Sequence, residues 1–253
     1  MKKIIAALAI TAVFASCKKE KTEAAIAPPS TEKKIAQITY TEGSSTSIDK
    51  ATYDANGRLL FLSNEDRIAS FVYESDTKLI ITIRKKLDNS VLQIIETTLN
   101  AKGAITKMLY KDVAGTVSYS YEYGYNADNY LNNVKGSVPT GSSFETKIEI
   151  VNGSAKSAQT FQNGALSAKT DYYYDAAKSN KMPNQVTAAW PSYTLFGKSN
   201  PHLLTEAKTF DVTGALGSHL KYTYELDANG YVSKATTTSA MGGSSSTISY
   251  LYQ

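Results

Sequence analysis

Cysteine, histidine and tryptophan are scarce in this chain of 253 residues, which has one cysteine, two histidines and one tryptophan. A single cysteine excludes an internal disulfide framework. His202 and His219 stand seventeen residues apart with no cysteine nearby, so the sequence indicates neither a metal cluster nor a Cys/His catalytic pair. We expect both histidines in loops or at the surface.

Long apolar runs and an excess of one charge are also missing. The apolar run at 4–14 has eleven residues, well below the ~20 that a bilayer-spanning helix needs. The chain carries 27 basic and 23 acidic side chains, a balance too even for a nucleic-acid groove lined with clustered lysine and arginine. The Gly/Ser-rich stretch 241–246 lacks the lysine and the following helix of a phosphate loop.

The first seventeen residues have the layout of a secretory signal that ends at a cysteine. Lys2 and Lys3 form a positive n-region, 4–14 form the apolar h-region, and the small pair Ala15-Ser16 precedes the cleavage point. With Cys17 directly after it, this segment resembles the lipobox of bacterial lipoproteins. The resemblance implies a thioether-linked diacylglycerol on Cys17 and an acylated new N-terminus. An ordinary secretory signal with a chance thiol is the alternative.

These features predict a signal peptide at 1–16, a lipidated tether at 17–34 and a single domain at 35–253. Cleavage leaves 25 basic against 23 acidic side chains, because only Lys2 and Lys3 are lost. The tether has many lysines, two prolines and few apolar residues, which favours a solvated spacer. Several acyl chains anchor stably, since each buried methylene contributes about 0.8 kcal/mol. We expect a lipid anchor in the outer membrane, with the domain on either its periplasmic or its outer side.

From residue 35 onward the pattern is that of an all-β domain. Phe144, Thr146, Ile148 and Ile150 alternate with charged residues, which puts the two sets on opposite faces of a strand. Tyrosines alternate with small and polar residues in the same way at 119–125 and 222–225. Aromatic and β-branched residues suit a pleated surface that is buried on one face.

Turns supply the second line of evidence. Four Asn-Gly pairs, at 56, 152, 163 and 229, offer the positive φ values that tight hairpins demand. Around several turns a longer unit recurs: an apolar residue, Asp or Asn, two variable residues, Gly, one variable residue and another apolar residue. It occurs at 53–59, 99–105, 210–216 and 226–232, with a degenerate copy at 125–131 that has Asn in place of Gly. Asp54, Asp211 and Asp227 are therefore interpreted as turn caps rather than as catalytic acids.

This unit resembles the YD-type repeat, and the mature chain resembles a group of uncharacterised Bacteroidota-type lipoproteins built from such hairpins. The C-terminal part carries the resemblance most clearly, in 195–204 and in Tyr222-Thr223-Tyr224-Glu225. The resemblance implies an antiparallel β-meander of hairpins that curls into one large sheet or barrel-like, porin-like fold, and it implies no catalytic residues. We expect about twelve to fourteen strands, given strands of ~5–6 residues joined by short turns. Because Glu145, Lys147 and Glu149 fall on the expected outward face, a water-soluble sheet is favoured over an integral barrel.

One segment interrupts the meander. Between 177 and 204 lie three of the six prolines and the only tryptophan, and proline removes donors from a β-ladder. Trp190, Tyr193 and Phe196 are the candidate ligand-binding residues, because long loops on rigid sheets carry binding groups. The alternative, which we favour, is that they plug an open end of the rolled sheet.

The sequence thus predicts a non-catalytic binding or scaffold module of the cell envelope. A glycan, a peptide or a partner protein is the expected ligand, with the membrane contacted through the lipid anchor, and no nucleic acid, metal or cofactor is expected. A carrier that encloses a lipid-like apolar ligand in the rolled sheet is the second hypothesis, and an enzyme is the third. An interior packed with tyrosines would favour the first hypothesis over the second.

Overall fold

The computed structural model describes residues 33–182, 195–243 and 245–253. They form sixteen β-strands in chain order. The strands are β1 (Ile35–Glu42), β2 (Ser45–Tyr53), β3 (Leu59–Ser63), β4 (Arg67–Ser75), β5 (Lys78–Lys85), β6 (Val91–Leu99), β7 (Ile105–Lys111), β8 (Val117–Tyr125), β9 (Leu131–Ser137), β10 (Ser143–Val151), β11 (Ser154–Gln162), β12 (Ala165–Ser179), β13 (His202–Asp211), β14 (Leu216–Leu226), β15 (Val232–Ser239) and β16 (Ser245–Tyr252).

Each strand pairs antiparallel with the next along the chain, and β1 pairs with β16 to close a barrel. In the closing pair Ile38 lies opposite Tyr250, and Tyr40 lies opposite Ile248. The all-β meander expected from the sequence is confirmed. The expected number of strands was too low, because several connections are only two residues long, as at Asn152-Gly153 and Asn163-Gly164. Among the described residues no helix is long and apolar enough to cross a bilayer.

The barrel wall has a largely apolar inner face and an outer face with many charged side chains, among which some apolar ones such as Val72 and Leu251 are exposed. On β10, Ile148 points inward and is buried, whereas Glu145, Lys147 and Glu149 lie on the opposite face. On β5 the inward residues Leu79 and Ile81 are fully buried. The predicted alternation at residues 144–150 is therefore confirmed.

Ion pairs between neighbouring strands cover much of the outer face. They include Lys111–Glu96 at 2.6 Å, Lys234–Glu225 at 2.9 Å and Lys156–Glu149 at 3.4 Å. Lys135 and Lys147 both approach Glu145, at 3.7 Å and 3.6 Å. Such exposed pairs contribute about 0–1 kcal/mol each to stability. Their main consequence is that the outward surface of the strands is hydrophilic.

Tyrosines line much of the inner face, and four of them hydrogen-bond to a neighbouring strand near one end of the barrel. The hydroxyl groups of Tyr53, Tyr125, Tyr224 and Tyr252 donate hydrogen bonds of 2.6–2.8 Å to backbone carbonyls of residues eighteen to twenty positions earlier in the chain. The acceptors are Ile35, Ile105, Leu204 and Val232. The hydroxyl thus satisfies a strand-end carbonyl while the ring packs in the core, which explains why tyrosine recurs before the turns.

The recurring turns have the capping geometry that the sequence predicts. The Oδ1 atom of Asp211 accepts the backbone N–H groups of Thr213 at 2.8 Å and Ala215 at 3.0 Å. Asp54 and Asp227 accept the equivalent pairs of amides. The pKa of all three carboxyl groups is lowered, because hydrogen bonds favour the ionised carboxylate. The largest cause is the Thr213 hydroxyl at Asp211 and Lys33 at Asp227, with the turn amides next, whereas at Asp54 burial opposes the hydrogen bonds from the turn. The interpretation of these residues as turn caps is confirmed.

The four Asn-Gly pairs belong to two kinds of turn. Asn152 and Asn163 have φ of 50° and 48°, and each is followed by a glycine with positive φ, as a two-residue hairpin turn requires. In the turns at 54–58 and 227–231 the glycine has positive φ, but the preceding asparagine is not among the positive-φ residues of the described chain. There the capping aspartate, and not the Asn-Gly pair, sets the turn.

Candidate functional site

One end of the barrel is closed by chain segments that interrupt the meander. We call it the plugged end. It holds Lys33, Lys34 and Gln253, the turns at 54–58, 100–104, 126–130 and 227–231, and residues 180–182 and 195–201. Lys34 and Gln253 exchange two backbone hydrogen bonds there, at 3.1 Å and 2.8 Å. Lys34 and Gln253 therefore lie side by side at this end of the barrel.

Asparagines fasten the segment between β12 and β13 to the barrel. The backbone N–H of Asn180 donates to the carbonyl of Pro201 at 2.8 Å, and its side chain donates to the carbonyl of Asn200 at 2.9 Å. The Oδ1 atom of buried Asn200 accepts the N–H of Ala155 at 3.1 Å. Both ends of the segment are thereby tied to the wall. Trp190 and Tyr193, two of the three candidate residues, lie outside the described residues.

Phe196, the third candidate, is a core residue of the plugged end rather than the lining of an open cleft. It is 8% exposed and its neighbour Leu195 is 2% exposed. The Phe196 ring packs edge-on against Tyr123, with 5.3 Å between ring centroids. The backbone N–H of Ile105 donates to the carbonyl of Leu195 at 2.8 Å, so the segment also extends the hydrogen bonding of β7. Leu195 and Phe196 therefore fill this end of the barrel, while a plugging role for Trp190 and Tyr193 stays a prediction.

A pocket of about 610 Å³ lies directly beside this plug. We call it the lysine pocket. Its described lining has three lysines and mostly uncharged polar neighbours, and no carboxylate: Lys102, Asn129, Ser179, Asn180, Lys181, Met182, Gly197, Lys198, Ser199 and Tyr231. Its volume is within the range typical of small-molecule sites, ~300–1,000 Å³.

The three lysines of this pocket have uncharged partners. The Nζ atom of Lys102 donates to the carbonyl of Ala127 at 3.0 Å, and that of Lys181 donates to the carbonyl of Asn229 at 2.7 Å. Lys181 and Lys198 also lie over aromatic rings, 5.1 Å from the centroid of Tyr231 and 5.4 Å from that of Tyr130. Among the described residues none of the three takes part in an ion pair, so no described carboxylate neutralises their positive charge.

Both carboxylate oxygens of Asp227, which lies near the lysine pocket, accept hydrogen bonds from other groups of the protein. Lys33 donates to its Oδ2 atom at 2.8 Å, and its Oδ1 atom caps the turn. The hydrogen bond from Lys33 and the backbone N–H of Tyr231 lower the pKa of this carboxyl group. The charge of Lys33 is therefore balanced by the Asp227 carboxylate. Lys181 lies over the same Tyr231 ring but has no carboxylate partner among the described residues.

Asn129 departs from the turn pattern at the lysine pocket. It occupies the position where the other copies of the unit have glycine, with φ of 70°. Its carbonyl accepts the N–H of Lys198 at 2.8 Å, and its Oδ1 atom lies 3.4 Å from the donating amide nitrogen of Asn100. A non-glycine residue in this left-handed conformation costs about 1 kcal/mol or more. In return, the asparagine places an amide group on the pocket lining.

Both histidines lie in strands and not in loops, and of the two only His219 meets the alternative expectation of a surface position. His202 begins β13, and its Nδ1 atom is buried with no hydrogen-bond partner among the described residues. His219 lies on β14, where its Nε2 atom is 3.0 Å from Glu206 on the outer wall. The hydrogen bond from His219, followed by that from Lys208, lowers the pKa of Glu206. Within the described part of the chain no three His, Cys, Asp or Glu side chains are grouped closely enough to hold a metal ion.

Comparison with known proteins places the fold among barrels described as porin-like. A porin-like protein from Bacteroides uniformis ATCC 8492 superposes with a TM-score of 0.61 and 17% identity, over 87% of this chain and 98% of its own. A porin-like protein from Bacteroides vulgatus ATCC 8482 superposes with a TM-score of 0.64 and 16% identity, over 88% of this chain and 99% of its own. No family model and no curated protein matches the sequence. At these identities the likeness concerns the fold.

Sequence reasoning located the segment that carries the site but not the lysine pocket itself. Lys102, Asn129 and Tyr231 come from three different turns, which only barrel closure brings together. The sequence marks two of these residues. Lys102 occupies a variable position of its turn, and Asn129 of the degenerate copy stands where the other copies have glycine. A local departure from a recurring pattern is where a functional residue is expected.

Proposed function

We propose that this chain is a lipid-anchored, non-catalytic binding module of the cell envelope, with its ligand site in the lysine pocket at the plugged end. The observation that carries the proposal is the number of charged side chains on the outward face of the wall, while the inner face is largely apolar. A barrel embedded in a bilayer needs the reverse arrangement on its lipid face. Glu145, Lys147 and Glu149 occupy three successive outward positions of one strand. A lysine on the lipid face costs about 2–4 kcal/mol at the membrane midplane.

The envelope location is supported by the lipobox-like segment that ends at Cys17 and by the likeness to porin-like barrels from Bacteroides. The tether carries the anchor, and the barrel remains in water. This arrangement reconciles a porin-like fold with a hydrophilic outer wall.

A binding module is favoured over an apolar carrier because tyrosines fill much of the inner face. Tyr125, Tyr224 and Tyr252 direct their hydroxyl groups to the barrel's own carbonyls. Their rings contact buried aliphatic residues, as Tyr224 and Tyr250 do around Val232. These side chains complete the structure of the domain, which leaves the pocket at its end as the ligand site that we propose.

The proposal is tested by the intact mass of protein from the membrane fraction beside a Cys17→Ala variant. We expect a diacyl or triacyl mass increment that disappears in the variant, together with release of the variant from the membrane. An unmodified wild-type mass with equal membrane retention of both proteins would refute the anchor and favour an integral barrel. Native mass spectrometry of the released variant then tests the ligand, since a co-purified neutral lipid would favour the carrier.

A further inference from the structure

We infer that the lysine pocket is a phosphate-binding site that takes a phosphorylated small molecule or a phospholipid headgroup. This inference rests on the proposed function, because it names the ligand of the same pocket. It follows from the chemistry of the described lining, which combines three ammonium groups with amide and hydroxyl groups and has no carboxylate.

The three pocket lysines have more N–H donors than their described partners use. A lysine ammonium group has three N–H donors and no acceptor. Lys102 and Lys181 each donate to one backbone carbonyl, and Lys198 lies over the ring of Tyr130. Most of the donors therefore remain available to a ligand. Three like charges around one cavity repel one another, and an anion placed among them relieves that repulsion.

The type of cation fits a phosphate. Lysine acts as a point charge and is a common phosphate ligand, whereas the forked guanidinium group of arginine recognises carboxylates and phosphates alike. No arginine is present in the described lining, and the three lysines come from separate segments that surround the cavity. Three point charges distributed in this way match a tetrahedral anion with several oxygen atoms.

The size of the pocket and its remaining groups indicate more than an inorganic ion. About 610 Å³ is far larger than a phosphate needs, and Asn129, Asn180, Ser179 and Ser199 add neutral hydrogen-bonding groups. Such groups suit the hydroxyls of a sugar or a glycerol unit attached to the phosphate. The φ of 70° at Asn129 agrees with this role, since glycine would avoid the strain but leave the pocket without that amide.

The test measures binding to the full chain carrying Cys17→Ala, so that its result does not depend on lipidation. The soluble probe is glycerol phosphate, studied by titration calorimetry. The membrane probe is a vesicle of phosphatidylglycerol and phosphatidylcholine, with a phosphatidylcholine vesicle as reference. The test variants are Lys102→Gln, Lys181→Gln and Lys198→Gln, singly and together.

A matched control is the triple variant Lys50→Gln, Lys86→Gln and Lys221→Gln, which makes the same charge change at exposed lysines of the wall and the opposite end. We expect each pocket substitution to weaken binding about tenfold or more, as loss of a hydrogen bond between charged groups does. The pocket triple should abolish binding, and the control triple should change it less than about twofold, as screening by salt predicts. Thermal unfolding of both triples verifies that the barrel is retained.

Saturable binding of glycerol phosphate that is lost in the pocket triple supports a soluble phosphate ester. Binding to the anionic vesicle alone, with the same loss, supports a headgroup. Absence of both kinds of binding, or an equal loss in the control triple, overturns the inference. The proposed anchor fails separately, through an unmodified Cys17 mass.

Discussion

The sharpest prediction concerns Gly197, which follows Phe196 in the plug. Gly197 and Gly214 both have positive φ, 76° and 85°, so alanine strains the backbone similarly at each position. Their surroundings differ. A methyl group on Gly197 would overlap the carbonyl oxygen of Asn129 and lie 2.8 Å from a ring carbon of Tyr125, whereas at Gly214 it would meet nothing within 4 Å.

The difference between the two substitutions isolates what holds the plug in place. The common strain is about 1–2 kcal/mol. To relieve the overlap at Gly197, the segment must withdraw from the turn at 126–130, and this breaks the hydrogen bond between Lys198 and Asn129. Withdrawal also exposes Leu195 and Phe196, whose burial stabilises by about 1.5–3 kcal/mol each. We therefore expect Gly197→Ala to lower the free energy of unfolding by about 3–6 kcal/mol more than Gly214→Ala.

Urea denaturation followed by circular dichroism measures this difference, and limited proteolysis shows whether the segment between β12 and β13 has become accessible. Gly214→Ala is the control for backbone strain. Equal stability of the two variants would refute the argument that the 195–200 segment is seated tightly against Asn129 and Tyr125.

Three further predictions concern the core and the titrating groups. Phe196→Ala should cost about 3–5 kcal/mol in urea denaturation, because it empties a buried site; a cost below 1 kcal/mol would contradict the burial of its ring. Asp211→Asn should lower stability modestly at neutral pH, because the neutral amide keeps an acceptor oxygen but not the charge, and it should reduce the further loss of stability in acid. Hydrogen bonds lower the pKa of Asp211 in the folded state. Its contribution to the stability of the fold is therefore present above the unfolded pKa of 3.8 and is lost as pH falls through the lower pKa of the folded state. Thermal unfolding against pH measures this, and an unchanged acid profile would contradict it. Burial, helped by Tyr121, raises the pKa of Tyr110 to about 12. Absorbance titration should therefore show a group of tyrosines that ionise well above pH 10, and the stability of the fold should decrease as pH rises above 10. Ionisation of all tyrosines near pH 10 would contradict the inward placement of Tyr110.

The fold class could be predicted because its signals are local. Alternation at 144–150 has period two whatever the rest of the chain does, and only an extended strand puts Ile148 and Glu149 on opposite faces. The Asp-x-x-Gly turns are equally local, since Asp211 caps amides two and four residues ahead of it. The strand count was harder to predict, because two-residue connections leave little sequence between strands.

The plug was foreseeable in outline from the prolines and aromatic residues between 177 and 204, but its contacts were not. Phe196 meets Tyr123, which is seventy-three positions earlier in the chain, and Asn200 meets Ala155 forty-five positions away. No local pattern specifies such pairings. They depend on which strand ends are adjacent once the barrel has closed.

The sequence by itself determined the all-β architecture, the face on which each strand residue lies and the capped turns, because these follow from backbone geometry and side-chain period over a few residues. Only the tertiary structure decided that β1 meets β16, that 195–201 fills one end, and that Lys102, Lys181 and Lys198 share a pocket without a carboxylate in its described lining. Those three lysines lie far apart in the chain, and closure of the sheet brings their charges into one cavity.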